Sequence, residues 1–98
     1  MERRIAMANG KFYHFYISPK AGVTQEEYEK KLNHALDWYR YKTGLYVVYS
    51  TADMKTWMSR LKDFVDPDGN LFMCELDLSN RNGWMTKDFW EWLRKSRD

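Results

Sequence analysis

The run Phe12-Tyr13-His14-Phe15-Tyr16-Ile17 constrains this chain more than any other segment. A period of two places Tyr13, Phe15 and Ile17 on one face of a strand and Phe12, His14 and Tyr16 on the other. Both faces are aromatic, so neither is suited to water. The strand is expected at the centre of a sheet with both faces covered, or with its second face on a partner. The rest of the chain must supply its neighbours and its covers.

Loop chemistry follows at Pro19 and Gly22. Thr24 with Glu27 three residues on forms a capping box, which opens a helix whose stripe is Tyr28, Leu32, Ala35 and Leu36. Glu26, Glu27 and Glu29 load its first turns, where the helix dipole favours acids. Residues 37–42 fit two states. Tyr39 could continue the helical stripe, or aromatic residues alternating with charge could make a strand. The strand is preferred, because Thr43-Gly44 then closes a hairpin into Leu45-Tyr46-Val47-Val48-Tyr49. Ser50 or Thr51 is expected to start a second helix, with stripe Met54, Trp57, Met58, Leu61, Phe64 and Val65. Asp66-Pro67-Asp68-Gly69 ends it with turn residues. Leu71 to Leu78 reads as the last main strand, with Phe72, Cys74, Leu76 and Leu78 on one face and Glu75 and Asp77 on the other. Thr86 caps a short final helix that buries Phe89, Trp92 and Leu93.

The order strand, helix, strand, strand, helix, strand is the α+β ferredoxin-like plan, βαββαβ: a four-stranded antiparallel sheet with two helices on one face. In that plan the sheet order is fourth, first, third, second. The extra C-terminal helix is expected at a sheet edge or on the face the other helices leave open.

Ninety-eight residues suit one domain, with residues 1–10 as a loose leader ending in the turn pair Asn9-Gly10 and 11–98 as the folded unit. So small a body cannot hide five Trp, seven Tyr and five Phe, and exposed aromatic area points to a partner surface. The net charge of +2 does not favour nucleic acid, which needs clustered basic residues. Arg3-Arg4 and Arg94-Lys95 with Arg97 read as solvated chain ends. A single Cys74 excludes an intramolecular disulfide and is expected to be a buried, inert thiol. No cofactor motif is present, and Asp66 to Phe72 lacks the ligand pattern of a calcium loop. With no long apolar run and no signal-peptide pattern, neither a membrane span nor export is expected, and the location is expected to be cytoplasmic.

Candidate catalytic groups are few. His14 is the one obvious base of the first strand. Glu75 and Asp77 lie two apart, a spacing that could bind a cation or move a proton. With the last strand beside the first, Glu75, Asp77, His14 and Tyr16 are expected to share the open sheet face. The plainer reading is a packing histidine beside a polar strand face. Phe12, His14 and Tyr16, with Tyr39 and Tyr41, could instead form a dimer face or a platform for stacked bases. The acidic pair beside such a platform would repel phosphate. Trp84 and Trp90 are interface candidates. His34 reads as a solvated helix residue.

Several pieces resemble one family. These are Trp38-Tyr39 before Leu45-Tyr46-Val47-Val48, Ser50-Thr51 opening an amphipathic helix, and Phe64-Val65-Asp66 with Asp68 and Asn70-Leu71-Phe72. Gly83-Trp84 followed by Trp90-Glu91-Trp92-Leu93 completes the set. From Trp38 to Leu93 the chain resembles SinR-like small bacterial and phage proteins, which look like relatives of the CRISPR-associated spacer-acquisition nucleases. The resemblance implies a ferredoxin-like subunit that dimerises through its sheet. Nuclease relatives carry an Asp at the end of the first strand, where two copies hold a divalent cation. Here Ile17, or Ser18 with a one-residue slip, stands at that place, and neither is an anionic ligand.

Three expectations follow. The first is a non-catalytic, homodimeric module that binds a macromolecular partner through aromatic surface. The second is a divergent metal-dependent nuclease, or a nucleic-acid binder, using His14, Glu75 or Asp77. The third is a phage or mobile-element inhibitor of a host defence complex.

Overall fold

A computed structural model describes residues 10–97. The expected leader, apart from Gly10, lies outside the described residues. The elements are β1 (Lys11–Ser18), α1 (Gln25–Leu32), β2 (Asp37–Lys42), β3 (Leu45–Ser50), α2 (Met54–Val65), β4 (Asn70–Leu76) and α3 (Lys87–Arg94). The strands form one antiparallel sheet in the order β2-β3-β1-β4. This is the ferredoxin-like βαββαβ arrangement, with one helix added.

β1 sits between β3 and β4, which accounts for its aromatic residues on both faces. Tyr13, Phe15 and Ile17 enter the main core with Tyr28 and Leu32 of α1 and Trp57, Leu61 and Val65 of α2. Trp57 is wholly buried, edge-on to Phe15 with ring centroids 5.3 Å apart. Its indole N–H donates to the buried Ser50 hydroxyl at 3.0 Å, which leaves no polar group of the indole stranded. At the far side Tyr46 Oη donates to Glu29 Oε2 at 2.6 Å, and Arg40 pairs with the same oxygen at 2.7 Å. Burial first, and then the bond to Glu29, hold the Tyr46 phenol protonated far above its ordinary range.

The capping box of Thr24 and Glu27 is formed, and Thr86 caps α3. Residues 37–42 are a strand, paired with β3 through the Gly44 turn. Gly44 has φ +79°, and a Cβ there would lie 2.7 Å from the Ile17 carbonyl oxygen, so both the turn and the close approach require glycine.

Three boundaries and the burial of one residue differ from expectation. α1 stops at Leu32, and Leu36 is exposed because residues 33–36 form a turn that returns the chain to the sheet. The Leu36 N–H donates to the Tyr49 carbonyl at 2.9 Å, a bond that a continuing helix could not make. Ser50 ends β3 instead of starting α2, and Asp53 caps that helix by accepting from the Thr56 N–H at 2.8 Å. β4 ends at Leu76, and Asp77 turns the chain by accepting from the Ser79 N–H and hydroxyl. Cys74 is only half-buried, since it faces away from the main core.

Candidate binding face

The strand register decides what shares the second face of the sheet. β1 pairs with β4 as Phe12 with Leu76, His14 with Cys74, and Tyr16 with Phe72. Pairs directly opposite one another point the same way. The open face therefore carries Phe72, Cys74 and Leu76 beside Tyr16, His14 and Phe12. Glu75 lies opposite Tyr13, on the helix-covered face, where it pairs with Lys11 at 3.7 Å. Asp77 is spent on its own turn, and its hydrogen bonds from Ser79 lower its pKa. The expected cluster of His14, Tyr16, Glu75 and Asp77 on one face does not exist. β4 alternates as expected, but in the opposite phase against β1. Among the described residues no group of three or more His, Cys, Asp or Glu side chains is placed to hold a metal ion.

α3 covers one half of the open face. Phe89 meets Tyr39 and Tyr41, with centroids 5.6 and 6.0 Å apart, and Trp92 meets Tyr39 and Phe12, at 5.6 and 6.2 Å. Contacts of this kind are worth about 0.5–1.5 kcal/mol each beyond their buried area. Beyond the helix, Arg97 folds back over them. Its guanidinium lies 4.4 Å from the Trp92 ring centroid, 5.1 Å from Phe12 and 5.5 Å from Tyr49. Nη2 donates to the Trp92 carbonyl at 2.6 Å and lies 3.5 Å from Asp37 Oδ2. Only 10% of the Arg97 side chain is exposed, so it is a latch and not the solvated end that its sequence neighbourhood suggested. Lys95 reaches the same Asp37 carboxylate at 3.0 Å. Burial works to raise the Asp37 pKa, but Lys95, the Trp92 side chain and the Trp38 N–H together outweigh it and the net shift is downward.

Between α3, the loop that follows β4 and the sheet lies a cleft of about 270 Å³. His14 and Tyr41 stand in its floor, with Nε2 and Oη 2.7 Å apart. Burial lowers the His14 pKa and raises that of Tyr41, so at neutral pH both are uncharged. Arg81, Asn82 and Met85 stand along its loop side and Trp90 on its helix side.

The other half of the face is bare. Phe72 is 62% exposed and Tyr16 38%, side by side, with Leu45 of β3 next in the same row. Trp84 is 99% exposed, above a shallow depression it shares with Tyr41 and Lys42. Of the seven expected interface residues, then, Tyr16 and Trp84 stand free. Phe12, Tyr39, Tyr41 and His14 are engaged within the molecule, and Trp90 is half-buried against Phe89. Sequence reasoning missed Phe72, Arg81 and Arg97. Phe72 was legible only through the register, and nothing in the local sequence of the other two marks them.

Comparison with protein-family models, with curated proteins and with solved structures finds no match. No helix among the described residues is long and apolar enough to cross a membrane.

Proposed function

We propose that this chain is a non-catalytic interaction module that self-associates through the bare end of its open sheet face, with a macromolecular partner held on its aromatic surface. The observation that carries this is the adjacent, uncovered pair Tyr16 and Phe72, flanked by Leu45, on a molecule that covers the rest of that face. Burying one large apolar side chain contributes about 1.5–3 kcal/mol, and a two-fold contact would bury each member twice. Aromatic residues are enriched at interface centres and charged ones depleted, which suits this row.

A catalytic role has little to draw on. Ile17, at the position where the resemblance would require an acid, is 2% exposed within the core. Glu75 pairs with Lys11 on the helix-covered face, and Asp77 is bound to Ser79 in its own turn. A stacking platform for single-stranded nucleic acid is the second reading. It is favoured by the placement of Glu75 on the other face, which takes away part of the repulsion expected from sequence.

Light scattering with and without magnesium and a mixed-sequence oligonucleotide separates these readings. Twice the chain mass of 11.9 kDa, unmoved by either addition, is the expected result. A monomer at all concentrations sinks the self-association. A mass increase with the oligonucleotide transfers the function to nucleic-acid binding.

A further inference from the structure

We propose that the cleft under α3 binds a small apolar carboxylate, such as an arylalkanoic or branched-chain acid, with its apolar group on the sheet and its carboxylate at the Arg81 rim. The site is separate from the bare end of the face, since Tyr16, Phe72 and Leu45 do not line it. Four features set the ligand class.

Size comes first. About 270 Å³ lies just below the usual range of about 300–1,000 Å³ for ligand cavities, so a one- or two-ring molecule fits and a nucleotide does not. The second feature is the lining. Leu76 and Val47 come from the sheet, Phe89, Trp90 and Leu93 from α3, and Met85 from the loop. Such a mixture of aromatic and aliphatic walls takes a ring or a branched chain, and the unbranched Met85 thioether adapts to either.

The third feature is the floor. His14 and Tyr41 are bound to each other and carry no charge at neutral pH, so nothing there holds an ionised group. A charged end would have to stay at the rim. The fourth feature is the rim itself. Arg81 is exposed and makes no ion pair or hydrogen bond among the described residues. Beside it, Asn82 Oδ1 accepts from the Gly83 N–H at 2.8 Å, which leaves the amide NH₂ to donate outward. A guanidinium next to an amide donor recognises a carboxylate and disfavours an amine. Gly83 completes the mouth, and a Cβ there would meet the Trp90 ring at 3.7 Å, an ordinary contact. A larger side chain at this position would occupy the cleft without straining the fold.

The test is a titration of the full chain, isotopically labelled, with 3-phenylpropionate, and in parallel with 3-phenylpropylamine. The expected result is saturable shifts of the Trp90 indole N–H and the Leu76 and Leu93 methyls with the acid, and none with the amine. Arg81→Gln, a surface change, should weaken binding about tenfold, the usual scale for loss of a charge-assisted hydrogen bond. Gly83→Leu should abolish binding while leaving the spectrum of the main core unchanged. Absence of saturable shifts in the cleft overturns the proposal. So does equal binding of acid and amine, or binding indifferent to Arg81→Gln.

Discussion

The two faces of this sheet are built from similar residues and finished differently. The face under α1 and α2 is closed: Trp57, Phe15, Tyr46 and Leu61 are all fully buried, and the indole and phenol groups have hydrogen-bond partners. The face under α3 is closed at one end only. There a short helix and the Arg97 latch cover Phe12, Tyr39 and Tyr49, while Tyr16 and Phe72 at the other end meet water. Aromatic content alone does not distinguish core from surface. What distinguishes them is whether a covering element is long enough, and α3, at eight residues, spans about 12 Å, too little for the whole face.

If the faces differ as described, the largest loss of stability comes from the closed one. Trp57→Ala should cost about 3–5 kcal/mol in urea denaturation, enough to unfold much of so small a domain. A loss below about 1 kcal/mol would mean that the helix-covered face is not the main core. On the other face Arg97→Ala should cost about 1–2 kcal/mol, through its stacking on three rings. Arg97→Lys should recover little, because an ammonium cannot lie flat on Trp92 while donating to the carbonyls of Trp92, Leu93 and Lys95 as the guanidinium does. Full recovery by lysine would reduce the latch to its charge near Asp37.

Acid should sharpen the comparison, because the titrating groups with clear shifts on the α3 side act in separate windows. His14 has a folded pKa below its ordinary 6.5, so the unfolded chain binds the proton first. Its contribution is present above about pH 6.5 and lost as pH falls from there through the folded value, after which it is flat. Asp37 is lowered below 3.8, so its contribution is present above that value and lost as pH falls through its folded pKa. Denaturation midpoints against pH should show two steps. His14→Gln should remove the upper, and Asp37→Asn should reduce the lower, which Asp37 shares with the lowered carboxyls of Glu27, Asp53 and Asp77. A single step below pH 4 in the parent protein would show that His14 is not held neutral by the fold. The smallest effects belong to the bare end, where Phe72→Ser and Trp84→Ala should each change the stability of the isolated chain by less than about 0.5 kcal/mol. A larger loss at either in the monomer would mean that the residue is packed within its own chain.

Much of the fold was legible because local chemistry and global pattern agree. The Thr24 and Glu27 box, the Gly44 turn and the alternation of β1 each point to one outcome, and they help fix the element order from which the ferredoxin-like plan supplies the sheet order. The end of α1 was not legible: Ala35 and Leu36 keep the helical spacing, but the Tyr49 carbonyl, distant in sequence, takes the Leu36 N–H. Nor was the start of α2, since Ser50 and Asp53 are both good caps and only the burial of Ser50 against Trp57 decides between them. The candidate site depended on the phase of β4 against β1. Period two fixes which residues go together and leaves open which face they take, so a one-step difference moved Glu75 to the helix side and Phe72 to the open one. Arg97 was opaque for another reason. A chain-terminal arginine reads as solvated until the rings it covers have been brought together by three different elements.

The most direct measurement compares one glutamate placed on each face. Phe72 is exposed on the open face at 62%, and Met58 is exposed on α2 at 44%. Light scattering of Phe72→Glu and Met58→Glu beside the parent chain should give a monomer for the first and dimers for the other two. A Phe72→Glu chain that keeps the parent's dimer mass, or a Met58→Glu chain that loses it, would contradict the assignment of self-association to the bare end of the sheet.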